Sequence, residues 1–187
     1  MKILFTRFPL ESHFGGAEVQ TLSLMKGLRE RGHDVSFFGS CEVLLKEAAQ
    51  CNIPVKRLMI GAPPVTKWAA LSFLWRRKKM QRALVDAIKA QNPQAIFMLS
   101  LSEKLLLTRL AVAQGIKVIW IEHDRVGRWL TKNPWLSQLR RLSNLVTTVV
   151  VSTLSASIYQ KLGWSADHLV TIPNGIDPQR FAAPSSM

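Results

Sequence analysis

The feature that most restricts the fold is a regular alternation. Seven short apolar runs, Lys2–Thr6, Asp34–Phe38, Val55–Leu58, Ala95–Leu99, Lys117–Ile121, Leu145–Val151 and Leu169–Ile172, are separated by segments with a helical repeat. Short, nearly continuous apolar runs are what a sheet covered on both faces needs. The intervening segments predict helices over Ala17–Arg31, Glu42–Gln50, Trp68–Gln91, Leu101–Gln114, Pro134–Leu142 and Thr153–Leu162. In the first, Ala17, Thr21, Leu24/Met25 and Leu28 share a face, and Gly32 is placed to end it. Ser100-Leu-Ser-Glu103 reads as a capping box, and Asn133-Pro134 as a cap with proline in the first turn. Strands alternating with helices imply parallel pairing through right-handed crossovers. The predicted class is α/β, a doubly wound, mostly parallel sheet with helices on both faces, Rossmann-like in kind. Residues 1–172 form this domain. A linker begins at Pro173 and runs through 173–187, ending in an unstructured tail, Ala182–Met187.

A chain of 187 residues is long enough for one such core. Its net charge of +13 is unevenly spread: residues 61–145 hold fifteen of the 25 Lys/Arg and only four of the 12 Asp/Glu. A basic middle third suits an anionic partner, whether phospholipid, phosphorylated glycan or nucleic acid; a charged, solvated surface is the alternative. Cys41 and Cys51 match no zinc spacing and form no disulfide framework. Arg7 breaks the N-terminal apolar run, so no signal peptide is expected. No window supplies the roughly 18 apolar residues of a spanning helix. A cytoplasmic protein is expected, peripheral on the inner face of the cytoplasmic membrane if it meets a membrane at all.

In a doubly wound sheet, ligands sit beyond the carboxyl ends of the strands. The loop after the first strand contains His13-Phe-Gly15-Gly16-Ala-Glu18 and opens a helix. A glycine pair is by itself usually a turn, but here backbone N–H groups and a positive helix end can approach an anion. The loop lacks the G-x-G-x-x-G of a nicotinamide site, and the second strand ends in FFGS, without the acid that grips a ribose. A Walker loop is also absent. After the fifth strand come Glu122, His123, Asp124 and Arg125. His123 can exchange a proton near neutral pH, though such a loop can also merely cap neighbouring backbone. His33 and His168 read as structural, beside the second and last strands.

GGAE at the first helix, a histidine after the fifth strand and IPNGID…F after the last fall in one order. With RERGHDV and the stretch VVVSTLSASIYQKLGWSADHLVTIPNGIDPQRF, they resemble the N-terminal domain of GT-B glycosyltransferases of family 4, over essentially the whole chain. The resemblance implies a retaining transferase that uses a nucleotide sugar, with no metal and no bound cofactor. Gly15 and Gly16 would face the donor diphosphate and His123 the reacting centre. His13, Glu18, Glu122, Asp124 and Arg125 would contact acceptor or donor. Retention in the family is usually explained by attack from the leaving group's own face, so no covalent nucleophile is assigned. The family's donor domain, with its paired-glutamate motif, does not appear in this sequence. The chain is therefore expected to lack activity alone and to need that C-terminal domain as a partner.

Trp68, Phe73, Leu74 and Trp75 precede Arg76, Arg77, Lys78 and Lys79. Aromatics beside a basic cluster suit a membrane interface; equally, the aromatics could be core and the charges a solvated face. A second basic cluster with Trp129 and Trp135 follows His123. Together they favour a phosphorylated or lipid-linked glycan as acceptor. The competing class is a non-catalytic basic module that binds anionic membrane or nucleic acid. Nucleic acid is disfavoured because no DNA or RNA motif is present.

Overall fold

The computed structural model describes residues 1–11, 14–61, 63–123 and 126–175. Strands β1 (Lys2–Arg7), β2 (Asp34–Gly39), β3 (Val55–Arg57), β4 (Ala95–Met98), β5 (Lys117–Glu122), β6 (Thr147–Val150) and β7 (Leu169–Thr171) form one sheet in the order β3-β2-β1-β4-β5-β6-β7. Every pairing is parallel. Strand order reverses between β1 and β4, the position at which a doubly wound sheet opens a crevice.

The helices are α1 (Gly16–Glu30), α2 (Glu42–Gln50), α3 (Lys67–Gln91), α4 (Leu101–Ala113), α5 (Arg128–Thr131), α6 (Leu136–Ser143) and α7 (Thr153–Lys161). Side chains of a strand alternate between faces, so the sheet builds two cores. Ile3, Phe5, Val35 and Phe37 pack with Met25 of α1 and Leu44 of α2. Leu4, Ile96, Val118 and Trp120 pack on the opposite face with α3, α4, α6 and α7. Residues 101–108 of α4 are all buried, as expected of a helix that is apolar nearly all round and wedged between sheet and neighbouring helices. The capping box at its start is present: Glu103 accepts from Ser100 N at 2.6 Å. Gly163, just past α7, has φ +96°, a left-handed conformation that glycine adopts without cost.

Four local expectations differ. Asn133-Pro134 does not open a helix. The buried Asn133 side chain instead donates to Pro64 O (2.9 Å) and Trp129 O (3.0 Å) and accepts from Trp135 N (2.9 Å), so the chain turns and α6 begins at Leu136. The stretch before it holds the one-turn α5 rather than a continuous loop. On α1 the inward residues are Glu18, Thr21 and Met25, with Leu24 facing solvent. Strand β6 starts at Thr147 because Leu145 lies in the turn leaving α6 and is exposed. The expected linker beyond Gly175 and the expected tail Ala182–Met187 lie outside the described residues.

Candidate functional site

Gly15 is the N-cap of α1, at φ −131° and ψ −178°, extended backbone open to any residue. Its N–H donates to Glu18 Oε2 at 3.2 Å, and the other oxygen of Glu18 pairs with Arg7 at 2.5 Å; both side chains are buried. This is half a capping box, since glycine has no side chain with which to return the bond. Among the described residues, a Cβ at Gly16 would meet nothing within 4 Å, and at Gly15 the nearest neighbour is Glu18 Oε2 at 3.2 Å. None of the described residues therefore demands a glycine at position 16. Gly39 behaves differently: a Cβ there would lie 2.2 Å from the carbonyl oxygen of Arg7, so close approach of β2 to the end of β1 requires it.

A cavity of about 330 Å³ opens at the β1/β4 switch point. Its walls come from the segment after β1 (Arg7, Phe8), the start of α4 (Ser100, Lys104), the end of β5 (Trp120, Glu122) and the aromatic residues Trp129 and Trp164. Ser100 Oγ accepts from Phe8 N at 2.9 Å and ties the β1 segment to the α4 start. Lys104 and Glu122 form a buried ion pair at 2.7 Å. The ammonium also donates to Ile121 O at 3.4 Å and lies 5.7 Å from the centroid of the Trp120 ring. Immediately before Lys104, Glu103 is fully buried. One of its oxygens accepts from Leu99 N and Ser100 N, while Oε2 has no partner among the described residues. Burial pushes its carboxyl up from 4.5 to about 8; hydrogen bonds from the backbone of Glu103, Ser100 and Leu99, and the charge of Lys104, oppose the shift. Glu18 and Glu103 thus each sit in the first turn of a helix, where Glu18 takes the Gly15 N–H and Glu103 the Ser100 N–H.

Of the residues expected at the site, Glu122 lines this cavity and His123 follows it, half-buried, at the end of β5. Gly15 and Gly16 start α1 on the same sheet edge, outside the cavity wall. Glu18 is engaged by Arg7 and by the Gly15 N–H. His13, Asp124 and Arg125 lie outside the described residues. Sequence reasoning missed Lys104 and Arg7. Lys104 had a signal: with Glu103 it is one of two ionisable residues at the head of the apolar run of a helix, LSEKLLL.

The basic helix resolves into two parts. Phe73 and Met80 belong to the core, whereas Trp68 and Trp75 are 82% and 85% exposed. Arg77, Lys78 and Lys79 are exposed beside them. Arg76, expected among the surface contacts, is instead half-buried and holds the preceding loop, donating to Ile60 O at 3.0 Å and to Ser72 Oγ at 3.2 Å. Its stem lies on the inward side of the helix, where an unpaired guanidinium would be costly. Among the described residues no helix is long and apolar enough to cross a membrane.

The family model Glycosyltransferase Family 4 matches residues 14–180. The chain belongs to glycosyltransferase family 4. No curated protein matches this family 4 domain in sequence. Among solved structures it is similar to HepE from Anabaena in complex with UDP-glucose (TM-score 0.72, 18% identity, covering 99% of this chain and 47% of that one). It is also similar to MurG from Acinetobacter baumannii (TM-score 0.60, 14% identity, 98% and 50%). A third likeness is to UDP-GlcNAc 2-epimerase from Neisseria meningitidis bound to UDP-GlcNAc (TM-score 0.62, 15% identity, 93% and 47%). The family 4 domain therefore spans about half the length of these structures. At such identities the likeness establishes the Rossmann-like α/β fold, which serves an epimerase as well as transferases.

Proposed function

We propose that this family 4 domain is the acceptor-side half of a retaining glycosyltransferase, moving a sugar from a nucleotide-sugar donor to a glycan or lipid-linked acceptor. The observation that carries the reading is Gly16, which opens α1 at the ligand edge of the sheet although a Cβ there meets nothing among the described residues. An unneeded glycine at a helix start leaves room for a group that approaches the backbone. The first N–H groups of a helix have no intrahelical acceptor and carry the positive end of its dipole. They suit the diphosphate leaving group, whose oxygens gain charge as the glycosidic bond to the donor breaks. Gly15 contributes less directly, since its N–H is held by Glu18. His123, at the end of β5, would stand by the donor sugar, and the cavity beside it would seat the acceptor. The nucleotide would be gripped by a donor-binding domain facing this edge, without a metal or other cofactor, and this half alone would not turn over.

Two features support peripheral attachment to an anionic membrane: the protruding Trp68 and Trp75, and the exposed Arg77, Lys78 and Lys79 beside them. Cosedimentation with phosphatidylglycerol vesicles that weakens with salt is the expected result; indifference to salt would refute the electrostatic part. The transferase reading is tested by joining this chain to a donor-binding domain of family 4 and screening nucleotide sugars against glycan and lipid-linked acceptors. Transfer with inversion, or no transfer from any nucleotide sugar, would overturn it.

A further inference from the structure

A second, larger hollow lies against the candidate site. It is a groove of about 830 Å³ between the first half of α3, the Pro64–Thr66 segment and the α5 turn. Ala70, Leu71 and Leu74 form one wall and Trp129, Pro134 and Trp135 the other. Leu71 and Leu74 are 53% and 48% exposed, so their apolar surface faces this hollow rather than the core. Three cations also line it, Lys67, Arg128 and Lys132, and no carboxylate does among the described residues. Val65 and Trp129 line both this groove and the smaller cavity, so the two spaces share a wall.

The contrast between the two spaces is chemical. The smaller one has the buried Lys104–Glu122 pair and Arg7 in its wall and suits hydroxyl groups. The larger one is apolar with a cationic rim, and suits a hydrocarbon chain that ends in a phosphate. Both volumes lie in the range of about 300–1,000 Å³ typical of small-molecule sites. We infer that the groove between α3 and α5 is a binding site for the hydrocarbon chain of a lipid-phosphate-linked acceptor. In it the phosphate is held by Lys67, Arg128 and Lys132, and the sugar reaches past Trp129 into the smaller cavity. This rests on the acceptor-side reading above and narrows it from any glycan to an anionic amphiphile. Trp68 and Trp75 do not line the groove, so membrane docking and chain binding belong to different residues of the same helix.

The test uses calorimetric titration of the 187-residue chain with farnesyl phosphate, a water-dispersed single-chain lipid phosphate. Leu71→Glu with Leu74→Glu alters exposed positions of α3 and is checked for folding by circular dichroism. It removes two half-buried leucine contacts and should weaken binding roughly 30-fold. Trp68→Ser with Trp75→Ser should leave binding within about two-fold, because neither indole lines the groove. Inorganic phosphate at equal concentration should not displace the lipid. The inference is overturned by any of three results: no binding of farnesyl phosphate to the native chain, equal binding by the leucine variant, or equal loss in the tryptophan variant. No turnover enters the measurement. Failure here leaves a transferase with a water-soluble acceptor, and failure of the transfer assay leaves the lipid-binding result standing.

Discussion

Glu103 gives the sharpest test of how the start of α4 is built. Its carboxyl is fully buried and raised from 4.5 to about 8. The folded chain therefore keeps this proton up to about pH 8, whereas the unfolded chain releases it near 4.5. Between those values the folded state binds more protons, so the stability this group contributes is whole below pH 4.5 and is lost as pH rises through 8. Integrating over the interval from about pH 6 to about pH 8 gives a loss of about 2 kcal/mol attributable to this one group. Glu103→Gln carries a neutral side chain of the same shape. Its carbonyl oxygen can take the Leu99 and Ser100 N–H groups, and its amide occupies the place of the unpartnered Oε2. Urea unfolding of both proteins across this interval isolates the effect, because every other titrating group is common to them. The expected result is a difference between the two stability curves that shifts in favour of the variant by about 2 kcal/mol on going to the higher pH. Parallel curves would refute the reasoning and mean that Glu103 enters the folded state ionised.

Lys104→Met strands the Glu122 carboxylate in the cavity wall and should cost about 3–5 kcal/mol in urea unfolding, with a smaller loss when Glu122→Gln is added; equal losses would argue against pairing. Gly39→Ala drives a methyl group into the backbone of Arg7 and should cost about 1–3 kcal/mol, seen as a lowered Tm, whereas Gly16→Ala should leave Tm nearly unchanged. Asn133→Ala removes three hydrogen bonds, one of which joins the α5 turn to Pro64, and a loss of about 2–3 kcal/mol is expected from chemical unfolding.

The fold was largely legible because the sheet is buried on both faces, which leaves apolar runs such as KVIWI with no other use. The capping box at Ser100–Glu103 was legible because both of its residues act locally. Asn133 was misread because its side chain bonds across 69 residues to Pro64, a contact that no local pattern announces. Arg76 and Phe73 were inseparable from Trp75 and Arg77 in the sequence, since only the docking of α3 onto the core decides which face turns inward. The candidate site was half legible. Glu122 closes a strand and His123 follows it, a position that could be counted from the sequence, whereas Arg7, Lys104 and the aromatic walls come together only through the parallel pairing of β1, β4 and β5.

The reading of this edge as a sugar-transfer site is tested most directly by initial rates of transfer from a nucleotide sugar, with the chain joined to a donor-binding domain. The variants are Gly16→Val and, separately, His123→Ala. The structure predicts that Gly16→Val folds with Tm close to the native value, because its Cβ meets nothing within 4 Å among the described residues. Its turnover should nevertheless fall by about 100-fold as the diphosphate is kept from the helix start. His123→Ala should likewise lose turnover in the same assay. Native rates in both variants would contradict the assignment of this edge to the reaction.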